Sequence, residues 1–174
     1  MSIAKARLVR LTTILSVMAV TVGCDQVSKA AARSLLAEAH PITYLGGLLK
    51  FTLIHNVGAF LSLGSQLPDT VRFLIFSVGG SLVILAGLTY LLSKKGLSNP
   101  SVVALSLVLG GALGNQIDRF LFQGAVTDFL FLSLGPVHTG IFNLADMAVL
   151  LGAAWFLVAS WRRPNPRPVP GASA

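Results

Sequence analysis

Four long apolar runs dominate the sequence, and they leave few folds open. A helix needs about 20 mostly apolar residues to cross about 30 Å of hydrocarbon. Phe73 to Leu92 supplies 20 residues without a charge, and Ser101 to Ile117 supplies a further 17. Met147 to Trp161 gives 15, and this run extends back to Ile141 if Asp146 is taken inside. Leu11 to Cys24 gives 14 and reaches spanning length by taking in Asp25 and Lys29. With 54% hydrophobic and 11% charged residues in a chain of 174, so much apolar surface suits neither a soluble globule nor a disordered chain. The expected fold is an all-α membrane protein. Its single domain, residues 1–163, has four transmembrane helices over about 11–32, 71–92, 99–119 and 141–161.

The charges set an orientation. Lys5, Arg7 and Arg10 precede the first run, Lys94 and Lys95 separate the second from the third, and Arg162, Arg163 and Arg167 follow the fourth. Four spans put these eight basic residues on one side with no acid among them, while all six acids fall toward the other. By the positive-inside rule both termini are cytoplasmic, and the polar groups lie toward the outer face. The net charge of +7 is dispersed over three flanks that suit anionic lipid, so nucleic acid is not an expected partner.

Between the first two spans, Ile42–Leu45 and Leu48–Phe51 flank Gly46-Gly47, which reads as a small β-hairpin within an outer platform of about residues 40–67. Residues 121–140 carry Gly124, Gly135, Pro136 and Gly140 and read as a loop or broken helix. Residues 164–174, with four prolines in seven positions, read as a disordered cytoplasmic tail. Gly79-Gly80 and Gly110-Gly111 are expected to permit close helix approach. The single cysteine, Cys24, excludes a disulfide framework and a cysteine zinc site. Lys5 to Cys24 also has the outline of a lipoprotein signal, but removing it would delete the first span and disperse the basic clusters. A small residue in a packed helix is the reading adopted for Cys24.

Ionisable groups within membrane segments are costly and point to function. Asp25 and Lys29 are four apart and can pair on one helical face. Asn115 and Asp118 stand at the end of the third span beside Arg119, and Asn143 and Asp146 at the start of the fourth. Asp128 stands alone in Val126-Thr127-Asp128-Phe129. One polar pocket near the outer surface could collect them all. His40, His55 and His138 have no metal-ligand spacing, and neither a phosphate loop nor a nucleophile elbow is present. What remains is carboxylate chemistry, in which two neighbouring aspartates share a proton and activate water. Asp25 has Lys29, and Asp118 has Arg119 or a neighbouring amide, so both are expected to be ionised and structural. Asp128 and Asp146 have no cationic neighbour within four residues and are the candidate pair. A proton- or ion-coupled carrier and a non-enzymatic scaffold are the other two classes compatible with such a polar layer.

Five short blocks then resemble those of the lipoprotein signal peptidase (signal peptidase II) family, bacterial membrane aspartyl proteases. They are Asp25–Lys29, Asn56–Phe60, Gly111–Arg119, Val126–Asp128 and Phe142–Asp146. The resemblance implies an endopeptidase of the bacterial inner membrane that removes the signal peptide of diacylglyceryl-modified prolipoproteins, cutting just before the lipidated cysteine without a covalent intermediate. It assigns Asp128 and Asp146 to the catalytic dyad. Asn56, Gly58, Asn115, Asp118, Arg119, Asn143, Asp25 and Lys29 become binding or supporting residues. It further implies no metal, no organic cofactor, membrane lipid as surroundings, and action as a monomer. Met147 departs from the small polar residue many members carry there.

Overall fold

The computed structural model describes residues 3–36, 41–59 and 62–161. In chain order the elements are α1 (Ile3–Leu35), β1 (Ile42–Tyr44), β2 (Leu49–Asn56), α2 (Asp69–Ser93), α3 (Asn99–Leu121), β3 (Val126–Leu134), β4 (Val137–His138) and α4 (Leu144–Trp161). All four helices are long and apolar enough to cross a membrane. The Pro-rich segment 164–174, Arg162, Arg163, His40 and Phe60 lie outside the described residues.

Helix α1 starts earlier than expected. Lys5, Arg7 and Arg10 form its opening turns rather than preceding it, because no glycine or proline interrupts Ile3 to Val22. The Arg10 guanidinium reaches the far end of α2, donating to the Lys94 carbonyl at 2.8 Å and to the Leu91 carbonyl. These are the unpaired carbonyls of a helix C-terminus, where a cation is favoured. The contact brings the basic start of α1 to the basic end of α2.

Helix α3 is the hub, with half of its most apolar stretch buried against 6–17% in the other three. Ser98 caps its N-terminus, the Oγ accepting from the Ser101 N–H at 3.3 Å. On one side Ile14 of α1 and Leu91 of α2 pack against Val102 and Leu109. On the other, α4 comes so close that a Cβ at Gly111 would collide with the Ala145 carbonyl, and one at Gly152 would lie 2.7 Å from the Ala104 carbonyl. A Cβ at Gly110 would lie 2.9 Å from Thr21 of α1. Close approach is thus real at Gly110 and Gly111. Of the other pair only Gly80 serves it, facing Gln116, while Gly79 meets no neighbouring helix. Small residues are what let backbones approach where lipid supplies no hydrophobic drive between helices.

The expected hairpin is present, with Ile42 opposite Phe51 and Tyr44 opposite Leu49. The segment 121–140 is a correction. It is not a loop or broken helix but strands β3 and β4, which extend the hairpin into a four-stranded antiparallel sheet of order β1-β2-β3-β4. Val126-Thr127-Asp128-Phe129-Leu130-Phe131 is β-branched and aromatic, which suits a half-buried pleated surface better than a loop, and its glycines fall only in the turns. Gln123 and Gly124, at φ +53° and +92°, reverse the chain after α3, so β3 runs back beside it. Leu53 and Phe129 of the sheet pack on Ala32 and Leu36 at the end of α1, fixing the sheet to the end of the bundle opposite the basic residues.

Candidate active site

Between the sheet and the helices lies a buried polar layer built around two pairs of aspartates. Asp25, Lys29 and Asp118 are all 0% exposed. Lys29 Nζ lies 2.8 Å from Asp25 Oδ2 and 3.3 Å from Asp118 Oδ2, and it donates to Asn115 Oδ1 at 2.8 Å. The Gln26 amide reaches Asp118 Oδ1 at 3.0 Å. Each of these carboxylates also grips main chain: Asp25 Oδ1 accepts from the Ala145 N–H at 2.9 Å, and Asp118 Oδ2 from the Thr127 N–H at 2.8 Å. The expected partner of Asp118 is corrected here. Its cation is Lys29, not Arg119, because successive helical residues point about 100° apart, and the arginine faces a different neighbour.

Asn143 connects the second pair. Its Nδ2 donates to Asp128 Oδ1 at 2.6 Å, its main-chain N–H to Asp146 Oδ2 at 3.2 Å, and its Oδ1 accepts from the Asp146 N–H at 2.9 Å. The reciprocal pair with Asp146 is a capping box at the start of α4, which satisfies helix donors that would otherwise be orphaned. Since Oδ1 is engaged by an N–H, the Asn143 amide can only present its NH2 to Asp128. The same logic orients the other amides. Lys29 occupies Asn115 Oδ1, so Asn115 Nδ2 donates to Asp146 Oδ1 at 2.8 Å. The Gly58 N–H occupies Asn56 Oδ1, so Asn56 Nδ2 donates to Asp128 Oδ2 at 2.9 Å. Both aspartates therefore face amide donors, with no lysine or arginine within salt-bridge distance among the described residues.

Arg119 ties loops rather than carboxylates. It donates to the Gly58 carbonyl at 2.7 Å and the Gly124 carbonyl at 2.8 Å, and its guanidinium sits 5.2 Å from the Phe76 ring centroid. All ten residues singled out from the sequence thus join one connected layer. Cys24 does not; it lies on the exposed face of α1 rather than in helix packing. His55 and His138 are exposed on the sheet. Among the described residues, no three His, Cys, Asp or Glu side chains gather as a metal site requires.

Burial is the main influence on Asp128, which is 3% exposed. It pushes the carboxyl up to about 6, the Asn56 and Asn143 amides pull it back, and the negative charge of Asp146 adds to the rise. A carboxyl poised there can hold or release a proton near neutrality. Two cavities open beside the pair. One of about 130 Å³ is lined by Ile54, Asn56, Ser62, Asp128, Gly140 and Ile141. The other, of about 260 Å³, runs past Asp146 between Phe142, Met147, Leu150 and Leu151 and is nearly all apolar. A reacting polar group and an aliphatic chain could be held side by side.

Sequence reasoning missed several members of this layer. Gln26, Thr127 and Ala145 fall inside the family-like blocks, but neither their residue type nor their spacing assigns them these contacts. Arg33, donating to Thr127 Oγ1 at 2.9 Å over the Phe122 ring, carries only its charge at a helix end. The capping role of Asn143 was readable from its three-residue spacing to Asp146.

Residues 17–162 match the family described as signal peptidase (SPase) II. The lipoprotein signal peptidase of Streptomyces griseus subsp. griseus is 35% identical over 162 residues, covering 90% of this chain and 77% of that one. That of Sulfurihydrogenibium sp. is 35% identical over 85% of this chain and 90% of the relative. That of Janthinobacterium sp. is 37% identical over 86% and 88%. A bacterial membrane enzyme solved by the in meso method superposes with a TM-score of 0.74 at 26% identity, over 87% of this chain and 88% of that chain.

Proposed function

The chain belongs to the signal peptidase II family of aspartic-type proteases, which remove signal peptides from prolipoproteins, and on that premise we propose that Asp128 and Asp146 are its catalytic dyad. The observation that carries this assignment is Asn143, which hydrogen-bonds both carboxylates at once. The carrier and scaffold readings fall with the family membership.

In the proposed mechanism the pair shares one proton, since two neighbouring buried carboxylates do not both ionise. The ionised member takes a proton from water as the water oxygen attacks the carbonyl carbon. The protonated member gives its proton to the carbonyl oxygen, so a neutral tetrahedral adduct forms with no covalent link to the enzyme. The first member, now protonated, passes that proton to the departing amine. The second recovers one from the adduct hydroxyl as the C–N bond breaks. The amides of Asn56, Asn115 and Asn143 hold the carboxylates in register throughout, and Arg119 secures the loops that frame the opening.

The bond cut is the one preceding a diacylglyceryl cysteine. The apolar cavity beside Asp146, edged by Met147, Leu150 and Leu151, suits an acyl chain next to a scissile peptide. Residues 1–163 act as one membrane domain in the inner membrane, with both termini cytoplasmic, the sheet lying at the outer face, and the enzyme working as a monomer. The grouping of Arg10, Lys94 and Lys95 at one end, away from the polar layer, supports that orientation.

The test is cleavage of a diacylglyceryl-modified prolipoprotein by purified protein, with Asp128→Asn and Asp146→Asn alongside. Wild type should release the signal peptide and both variants should remain folded and inert. Activity surviving either substitution would remove that residue from the dyad.

A further inference from the structure

Helix α2 carries a π segment, Phe73–Gly79, near the polar layer. Such a segment disturbs the regular hydrogen-bond ladder, and here it turns the Ser77 carbonyl toward α3. Gln116 Nε2 meets that carbonyl at 2.6 Å and Ser81 Oγ at 3.0 Å. Ser77 and Gln116 are buried, so this is a polar tie between two helices in apolar surroundings. One turn along α3 stands Arg119, on the same face as Gln116, and it stacks on Phe76, the neighbour of Ser77.

Along α2 only Ser77 and Leu91 are buried. Leu91 belongs to the apolar cluster at the basic end, roughly 21 Å away along the helix axis. The end of α2 beside the active site is held to α3 by the Gln116 tie and the Phe76 stack, while Arg72 and Phe76 also hold the loop of residues 64–67. A groove of about 430 Å³ opens there between α2 and α3, with Asn115, Gln116 and Arg119 among its lining.

We propose that Gln116 is a positioning residue of the active site: by tying the π segment of α2 to α3 it keeps Phe76 under Arg119 and so sets the grip of Arg119 on Gly58. The effect reaches the dyad through short bonds. Arg119 holds the Gly58 carbonyl, the Gly58 N–H orients the Asn56 amide, and Asn56 donates to Asp128. Loss of the tie leaves the chemistry intact but loosens the frame that receives substrate, so the cost falls on KM rather than kcat. The inference rests on the dyad reading above.

Gln116→Leu removes the tie at similar volume, while the Ser81 hydroxyl at 2.7 Å and the Gly80 N–H still satisfy the Ser77 carbonyl, so folding is preserved. Gly80→Ala is the second probe: its Cβ would lie 2.9 Å from Gln116 Oε1 and displaces the amide while favouring the helix. Both variants should lower kcat/KM about tenfold on a lipidated prolipoprotein, mostly through KM. Contacting residues that act as one unit are non-additive, so Gln116→Leu should add almost nothing in a Phe76→Leu background. A second readout does not depend on cleavage. Spin labels at Leu74→Cys and Val27→Cys, both exposed positions, in a Cys24→Ser background should give a narrow distance distribution that Gln116→Leu broadens. Unchanged KM, independent costs in the double variant, or an unchanged distance distribution would each overturn the role of Gln116. Broadening in a protein that cleaves nothing would support the tie and overturn the dyad reading instead.

Discussion

The two aspartate pairs lie in the same buried layer, yet their surroundings differ in kind. Asp25 and Asp118 share the ammonium of Lys29. Asp128 and Asp146 share the amide and N–H of Asn143. A buried cation holds its carboxylate partners in place, because removing either charge would strand the other. An amide donor stabilises a carboxylate without supplying a charge, so the proton remains exchangeable. The first pair is suited to holding and the second to reacting, though all four residues are the same amino acid. The pairs are also joined: Asp118 grips the N–H of Thr127 and Asp25 that of Ala145, the residues that precede Asp128 and Asp146.

The largest effect should separate the pairs outright. Asp128→Asn or Asp146→Asn is expected to lower cleavage by at least about 10³-fold with the fold retained, whereas Asp25→Asn and Asp118→Asn should lose thermal stability and keep measurable turnover. The reverse pattern in a cleavage assay paired with melting curves would break the comparison. Next comes Lys29→Met, which strands two buried carboxylates and should destabilise the protein by about 3–5 kcal/mol. An unchanged melting temperature in detergent would show that the ion cluster is not the holding pair.

The third expectation concerns pH. The folded-state value of Asp128, about 6, is raised above its ordinary 3.8, so its protonated form is favoured in the folded protein. That contribution, of the order of 3 kcal/mol, is full below about pH 4 and is lost as pH rises through about 6. Wild-type melting temperature should carry this fall between pH 4 and 7, and Asp128→Asn should flatten it; parallel curves would sink the assignment. The smallest effect is that of Asn56→Ala. Removing a donor that favours the charged form moves the Asp128 titration upward, and a pH–activity profile should shift the same way, with a loss of about 1.5–3 kcal/mol in kcat/KM from one missing hydrogen bond to a charged group. A downward shift would show that Asn56 does not act on this carboxylate.

Much of this was readable from the chain, and the misreadings share a cause. The Asp25–Lys29 pair is four residues apart on one helix and follows from helical spacing alone. The selection of Asp128 and Asp146 as a pair without a cation rested on near neighbours and agrees with their amide surroundings. The same reasoning offers Asp118 either Arg119 or a neighbouring amide; its cation is Lys29, because adjacency along a helix turns side chains apart while α1 supplies a partner 89 positions away. The strand β3 was masked by the glycines and proline around it, which mark turns but say nothing of the β-branched run between them.

Apolar run length and the placement of lysines and arginines fixed four spans and a basic end, since transfer of side chains into lipid depends on composition and needs no partner. Tertiary structure alone decided that Asp118 shares Lys29, how each amide is turned, and that residues 126–138 join the hairpin in one sheet. Hydrogen bonds and ion pairs act over about 3 Å, and here they join residues as far apart as Asp25 and Ala145, a proximity that exists only once the helices have packed.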